Sequence, residues 1–313
     1  MNYQQLLVIT RCLLIYILST VPTVAVCAGE TAADFVKQGD AKRENGGYDG
    51  AIADYNKAIE LDPKNVEAYK GRAWAKGLKN DCDGAIADYN KAIELNPTDG
   101  SAYYGRGWAK GRKGDYDGAM VDCNKAIELE PGKVMRYHGR GKLKCDHGDY
   151  DGAIADFNKA IELEPLYFFL YQGRADAKFY KGECYGAIAD YNKAIELLPG
   201  NAAAYIGLGN AKDCLGAYDD AIAEQNKAIE LNPRYAKGYN DRGSAKANKT
   251  DYGGAITDYN KAIELNPKYA NAYYNRGNAK RRKGDNDGAM ADHIEAIELN
   301  PIVRQGILQP GTQ

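Results

Sequence analysis

Residues 48–63 read YDGAIADYNKAIELDP, and residues 82–97 read CDGAIADYNKAIELNP. Residues 252–267 read YGGAITDYNKAIELNP. The phrase closes on Pro63, Pro97, Pro131, Pro165, Pro199, Pro233, Pro267 and Pro301, and every gap is 34 residues. Counting back 31 residues from each proline divides the chain into eight units: 32–65, 66–99, 100–133, 134–167, 168–201, 202–235, 236–269 and 270–303. Numbering positions within a unit from 1 to 34 puts the proline at position 32. A register held over eight units without insertion or deletion is the signature of a repeat architecture.

One unit shows what is being repeated. In 66–99, VEAYKGRAWAKGLK has helical periodicity, NDCDG breaks it, and AIADYNKAIELN resumes it with Ala85, Ile86, Tyr89, Ala92 and Ile93 at three- and four-residue steps. Asp83 is placed to cap the second helix, and Pro97 stops it. Gly114, Gly148, Gly182, Gly216 and Gly284 stand at the exit of the first helix, where a left-handed residue is wanted. Positions 20 and 27 are alanine in all eight units, from Ala51 and Ala58 to Ala289 and Ala296, and position 8 is Gly or Ala throughout. Small residues facing small residues let two helices approach closely. A single hairpin cannot bury its apolar face, but stacked hairpins share one continuous core.

These features resemble the tetratricopeptide repeat family. Each unit carries an aromatic at position 4 (Phe35, Tyr69, Tyr103, Tyr137, Tyr171, Tyr205, Tyr239, Tyr273), a small residue at 8, Ala at 20, mostly an aromatic at 24, Ala at 27 and Pro at 32. The resemblance implies an all-α solenoid, a right-handed superhelix of eight helix-turn-helix repeats over residues 29–303. It also implies a concave groove lined by first helices, and a binding role without catalysis.

Two positions depart from the family pattern. Position 7, usually Leu, is Arg72, Arg106, Arg140, Arg174, Arg242 and Arg276, with Gln38 and Leu208 as exceptions. Position 23 is Asp in seven units, and the unit with Leu208 has Glu224 instead. A salt bridge between the two positions, as in Arg106 with Asp122, accounts for their changing together. Position 11 is lysine in all eight units, a uniformity that structure or duplication explains equally well.

The remaining chemistry is sparse. The net charge of −2 gives no basis for nucleic-acid binding. Gly-rich strings such as GRGWAKGRKGD at 105–115 follow no strand and are not phosphate loops. DYDG and DNDG lack the further ligands of a calcium loop. His138 and Cys145 lie seven apart on one helix, a thin metal pattern. No cofactor is expected, and no catalytic set emerges.

Groove positions 2, 5, 6, 9, 12 and 13, as the family uses them, hold the informative residues. Position 6 is Gly71, Gly105, Gly139, Gly173 and Gly207 in five consecutive units, suggesting a floor that a ligand approaches closely. Trp74 and Trp108 share position 9, and Tyr104, Met135, Phe169, Phe179 and Tyr180 fall at other groove positions. The last unit offers Asn275, Asn278, Arg281 and Arg282, a polar and basic end. The family's Lys/Asn clamp for C-terminal carboxylates is not matched.

The ends differ from the repeats. Residues 1–28 carry Arg11, an apolar run from Cys12 and the small residues Val26, Cys27 and Ala28, as a signal peptide does. Export to the periplasm or outside the cell follows, with membrane attachment only if the segment is retained. The mature chain keeps Cys82, Cys123, Cys145, Cys184 and Cys214, at unrelated positions, which reads as incidental thiols. The tail 304–313 is too short and broken for a capping helix, leaving the last unit open to self-association. The reading is a non-enzymatic exported scaffold holding a peptide or protein partner in the groove. A glycan-binding protein and a self-assembling architectural protein are the alternatives.

Overall fold

The computed structural model describes residues 30–301, so the N-terminal segment 1–28 and the tail 304–313 lie outside the described residues. The described residues form sixteen helices and no strand. They fall in two compact units, one ending at Pro97 and one beginning at Thr98.

The first unit holds α1 (Ala32–Glu44), α2 (Tyr48–Leu61), α3 (Val66–Leu78) and α4 (Cys82–Leu95). The second holds α5 (Gly100–Lys113), α6 (Tyr116–Leu129), α7 (Val134–Asp146), α8 (Tyr150–Leu163), α9 (Phe168–Tyr180) and α10 (Cys184–Leu197). It continues with α11 (Ala202–Cys214), α12 (Tyr218–Leu231), α13 (Ala236–Asn248), α14 (Tyr252–Leu265), α15 (Ala270–Arg282) and α16 (Asn286–Leu299). Each odd-numbered helix packs on the even one after it. Within the second unit successive odd helices also touch, from α5 with α7 to α13 with α15.

Helix boundaries follow local chemistry. Gly84 N–H donates to Asp81 Oδ1 at 2.9 Å, so the cap of α4 is Asp81 and the expected Asp83 sits inside the first turn. Asp115, Asp149, Asp251 and Asp285 do the same at the equivalent position. Gly114, Gly148, Gly182, Gly216 and Gly284 adopt φ of 90°, 82°, 89°, 76° and 87°, as the turn requires. Thr250 meets the same turn with φ 69°, a conformation a β-branched residue resists.

The core lies between paired helices and continues into the next repeat, as where Ala175, Ala187 and Tyr191 cluster with Leu208 and Ala211. Alanines at positions 20 and 27 are buried in every repeat, and those in α2, Ala51 and Ala58, are fully so. The close approach depends on position 8. A Cβ on Gly107 would lie 3.1 Å from the Ala119 carbonyl, and one on Gly277 would lie 2.6 Å from the His293 ring. Aromatics at position 24 fill the space left over, Tyr55 being fully buried and Phe157, Tyr191 and Tyr259 each 2% exposed.

Buried ion pairs repeat with the helices. Arg106 donates through Nε to Asp122 Oδ2 at 2.8 Å and through Nη2 to Oδ1 at 2.6 Å. Lys110 Nζ reaches the same carboxylate at 2.8 Å, and Asp122 is 1% exposed. Arg140–Asp156–Lys144, Arg174–Asp190–Lys178, Arg242–Asp258–Lys246 and Arg276–Asp292–Lys280 repeat the arrangement. In the first unit Arg72 and Lys76 share Asp88. The position 11 lysine thus has a structural use in each repeat, Lys42 pairing with Asp54 and Lys212 with Glu224 in the two units lacking the Arg. Within each unit the guanidinium also reaches back one repeat: Arg72 Nη1 donates to Asn56 Oδ1 at 2.7 Å, Arg140 Nη1 to Asn124 Oδ1 at 2.7 Å, and Arg174 Nη1 to Asn158 Oδ1 at 2.6 Å.

Leu208 interrupts this ladder at the junction of the fifth and sixth repeats. There a different link appears. Cys184 at the start of α10 and Cys214 at the end of α11 form a disulfide, with Cα atoms 6.7 Å apart. The expectation of incidental thiols therefore fails for this pair, whose unlike repeat positions concealed that the stacking brings them together. Cys82, Cys123 and Cys145 are free.

Candidate binding groove

In the second unit, three cavities open along the face made by the odd-numbered helices. The first, of about 400 Å³, lies between α7 and α9. His138, Lys142, Cys145 and Asp146 come from α7, and Phe169, Gln172, Gly173, Asp176 and Tyr180 from α9, with Phe157 of α8 behind. The ring of His138 meets Phe169 edge-on at 5.0 Å and Phe157 at 6.0 Å. Burial and then the Lys142 charge push the imidazole down to about 4, so it is neutral at pH 7. Its Nδ1 is buried without a hydrogen-bond partner. Asp176 accepts a 2.6 Å bond from the Tyr191 hydroxyl, and burial raises its carboxyl in spite of that bond.

The second cavity, of about 340 Å³, is bounded by Phe179 of α9, Asn210, Asp213 and Cys214 of α11, and Asp241 and Ser244 of α13. Asp213 Oδ2 accepts from Asn248 at 2.8 Å, while Oδ1 is buried and unpartnered. Burial raises this carboxyl too. Asp241 Oδ2 accepts from Asn210 at 3.0 Å and from Lys237 at 2.5 Å. Phe179 and Tyr180 meet edge-to-face at 5.6 Å, so one pair of rings borders both cavities.

The third cavity, of about 370 Å³, is polar. Ser244 and Asn248 of α13, Tyr259 of α14, and Asn275, Asn278 and Arg282 of α15 surround it. The Tyr259 hydroxyl donates to Ser244 Oγ at 3.3 Å, and Asn275 Nδ2 donates to Asn240 Oδ1 at 3.1 Å.

The groove residues expected from sequence divide accordingly. Phe169, Gly173 and Tyr180 come together in the first cavity, Phe179 joins the second, and Asn275, Asn278 and Arg282 join the third. Arg281 lies outside that lining, its Nη2 3.5 Å from Asn278 Oδ1. Met135 is 44% exposed on α7 and borders none of the three. Trp74 is partly buried in the first unit. Trp108 is partly buried in the second, with the Arg112 guanidinium 5.1 Å from its ring.

The position 6 glycines have a use other than an open floor. A Cβ on Gly71, Gly173 or Gly207 would fall 2.5, 2.7 or 2.3 Å from the ring of Tyr55, Phe157 or Tyr191 of the preceding repeat. On Gly139 it would fall 2.5 Å from Tyr104, whose ring also carries the Arg136 guanidinium 4.7 Å from its centroid. These glycines seat a neighbouring ring, and Tyr104 is spent in that packing. Gly105 is buried in α5. His138, Asp176, Asp213 and Asp241 went unrecognised as a set because they occupy four different repeat positions.

Eight hairpins with buried Ala–Ala faces and a bounded odd-helix face are the arrangement that sequence comparison tests. Family models described as TPR repeat match residues 39–76, 78–114 and 249–284. Models described as tetratricopeptide repeat match 100–133, 173–236, 137–165 and 270–302. The chain belongs to the tetratricopeptide repeat family.

Solved structures share this tetratricopeptide fold. A tetratricopeptide repeat protein from Parabacteroides merdae is 18% identical, with a TM-score of 0.63 over 84% of this chain and 100% of that one. The crystal structure of the APC/C hetero-tetramer Cut9–Hcn1 contains a chain 19% identical, with a TM-score of 0.63 over 80% of this chain. The tetratricopeptide array spans about half of that chain, 52%. No curated protein matches. Tetratricopeptide repeats in general mediate protein–protein interaction and are typically non-enzymatic.

Proposed function

We propose that this tetratricopeptide array is an exported, non-enzymatic scaffold that holds an extended segment of a partner protein along its odd-helix face. One observation carries the reading. Three cavities lie in sequence along that face, and two of them contain buried polar atoms without partners, His138 Nδ1 and Asp213 Oδ1. Such atoms cost free energy unless something binds them. The Cys184–Cys214 disulfide supports export, since such bonds persist in oxidising compartments. The apolar segment after Arg11 supports it independently.

The test is capture of partners from extracts of the source organism by the full chain and by its Phe169→Ala/Phe179→Ala variant, followed by titration of each purified partner. The reading expects saturable binding by the parent chain and at least a tenfold loss in the variant, with helical content unchanged by circular dichroism. Equal affinity for both would remove the odd-helix face from the account. Fractionation of cells expressing the chain tests export, and recovery of the full-length precursor in the cytoplasm alone would contradict it.

The polar third cavity favours a second reading. Amide, hydroxyl and guanidinium groups from Asn275, Asn278, Ser244 and Arg282 suit the hydroxyls of a sugar. Saturable glycan binding that Asn278→Ala abolishes, with no peptide binding, would select it.

A further inference from the structure

Building on the scaffold reading, we propose that the first and second cavities take two basic side chains of the bound segment, and arginine in preference to lysine. The argument starts from charge. Asp146 and Asp176 line the first cavity, and Asp213 and Asp241 line the second. Against these four carboxylates stand Lys142, and Lys237, which Asp241 already holds at 2.5 Å. The surplus is negative, so the occupant that complements it is cationic.

Hydrogen bonding points the same way. Asp213 Oδ1 is a buried acceptor with no donor. An incoming N–H satisfies it, whereas a carboxylate or an aliphatic group leaves it unpaired. The neutral imidazole of His138 has its Nδ1 equally unpartnered, and with the proton on Nε2 it is a second waiting acceptor. Asp176 spends Oδ1 on the Tyr191 hydroxyl and no bond engages its Oδ2.

The walls choose between the two cations. Phe169 and Tyr180 border the first cavity and Phe179 the second. A guanidinium stacks flat on such rings and keeps in-plane donors for a carboxylate, while an ammonium is a compact, strongly hydrated charge. Phe179 and Tyr180 are consecutive in α9, one bordering each cavity, so the two basic residues sit close together in the segment. An acidic segment would meet like charge at both cavities.

The experiment selects random twelve-residue peptides on the immobilised full chain. It then titrates synthetic acetyl-Gly-Arg-Gly-Arg-Gly-amide and the best selected peptide, each with arginine replaced by lysine or citrulline. The expected result is enrichment of arginine pairs. Citrulline substitution should weaken binding at least tenfold, and lysine by a smaller factor. Asp213→Asn and Asp176→Asn, both able to keep their existing acceptor bonds, should each cost about tenfold at unchanged thermal midpoint. Enrichment of acidic or apolar peptides that bind equally well to both variants would overturn the inference while leaving the scaffold reading standing. No enrichment of any sequence would overturn both.

Discussion

At the scale of single residues, the structure reverses an ordinary expectation about glycine. Replacing a mid-helix Gly by Ala normally stabilises by about 1 kcal/mol. At Gly207 the added Cβ would lie 2.3 Å from the Tyr191 ring, which is 2% exposed and held through its hydroxyl by Asp176 at 2.6 Å. Overpacking costs of about 1–3 kcal/mol outweigh the propensity gain. Gly207→Ala is therefore expected to lower the thermal midpoint. Gly200→Ala, at a site with nothing within 4 Å, should not suffer that clash.

The ion-pair ladder yields a second residue-scale expectation. Arg106→Leu leaves Asp122 buried with only Lys110, and should cost about 3 kcal/mol. The sixth repeat shows the tolerated alternative: Leu208 coexists with Glu224, whose longer side chain is 23% exposed and bonds Lys212 at 2.6 Å. Arg106→Leu/Asp122→Glu should recover much of the loss in urea unfolding, and an additive double variant would contradict this account. This covariation is what made the Arg–Asp contact legible from sequence. The role of the position 6 glycines was not legible, because the rings that need them lie one repeat earlier.

Acid sensitivity follows from His138. Its pKa falls from 6.5 to about 4 in the fold. The unfolded chain therefore binds the extra proton first, and stability is lost as pH drops from 6.5 towards 4. The full effect is roughly 3 kcal/mol by the lower pH. His138→Phe should unfold with a midpoint less sensitive to pH across that window. An identical pH profile for parent and variant would contradict the burial argument.

At the scale of elements, the helix pairs were legible because their signals are local: alanines seven apart, a glycine exit and a terminal proline. The caps were misplaced by two residues, since Asp81 and Asp83 look alike until the first turn is built. Thr250 takes the left-handed exit at φ 69° with no glycine to ease it. Thr250→Gly should stabilise by about 1 kcal/mol, relieving the clash between Cβ and carbonyl. A lower thermal midpoint for this variant would show that the threonine side chain is needed at the edge of the third cavity.

The Cys184–Cys214 link joins elements across a repeat boundary. Its closed loop, with a sequence separation of 30, should contribute about 3.6 kcal/mol. Reduction, or Cys184→Ser/Cys214→Ser, is expected to lower the thermal midpoint by the same amount in either case. Further loss on reducing the double variant would contradict the assignment.

At the scale of the whole molecule, the repeat register made the family plain, and binding followed from the family. The groove was legible only in part. Phe169, Phe179 and Tyr180 showed themselves as departures at family groove positions. The acidic residues Asp146, Asp176, Asp213 and Asp241 also stand at groove positions, but each at a different one, and their convergence emerges only when α7 to α13 stack. The central claim is that a partner segment lies along the odd-helix face. Hydrogen exchange of the full chain, measured with and without a saturating selected peptide, tests it most directly. The account expects new protection in α7, α9, α11 and α13. Protection confined to α8, α10 and α12 would contradict it.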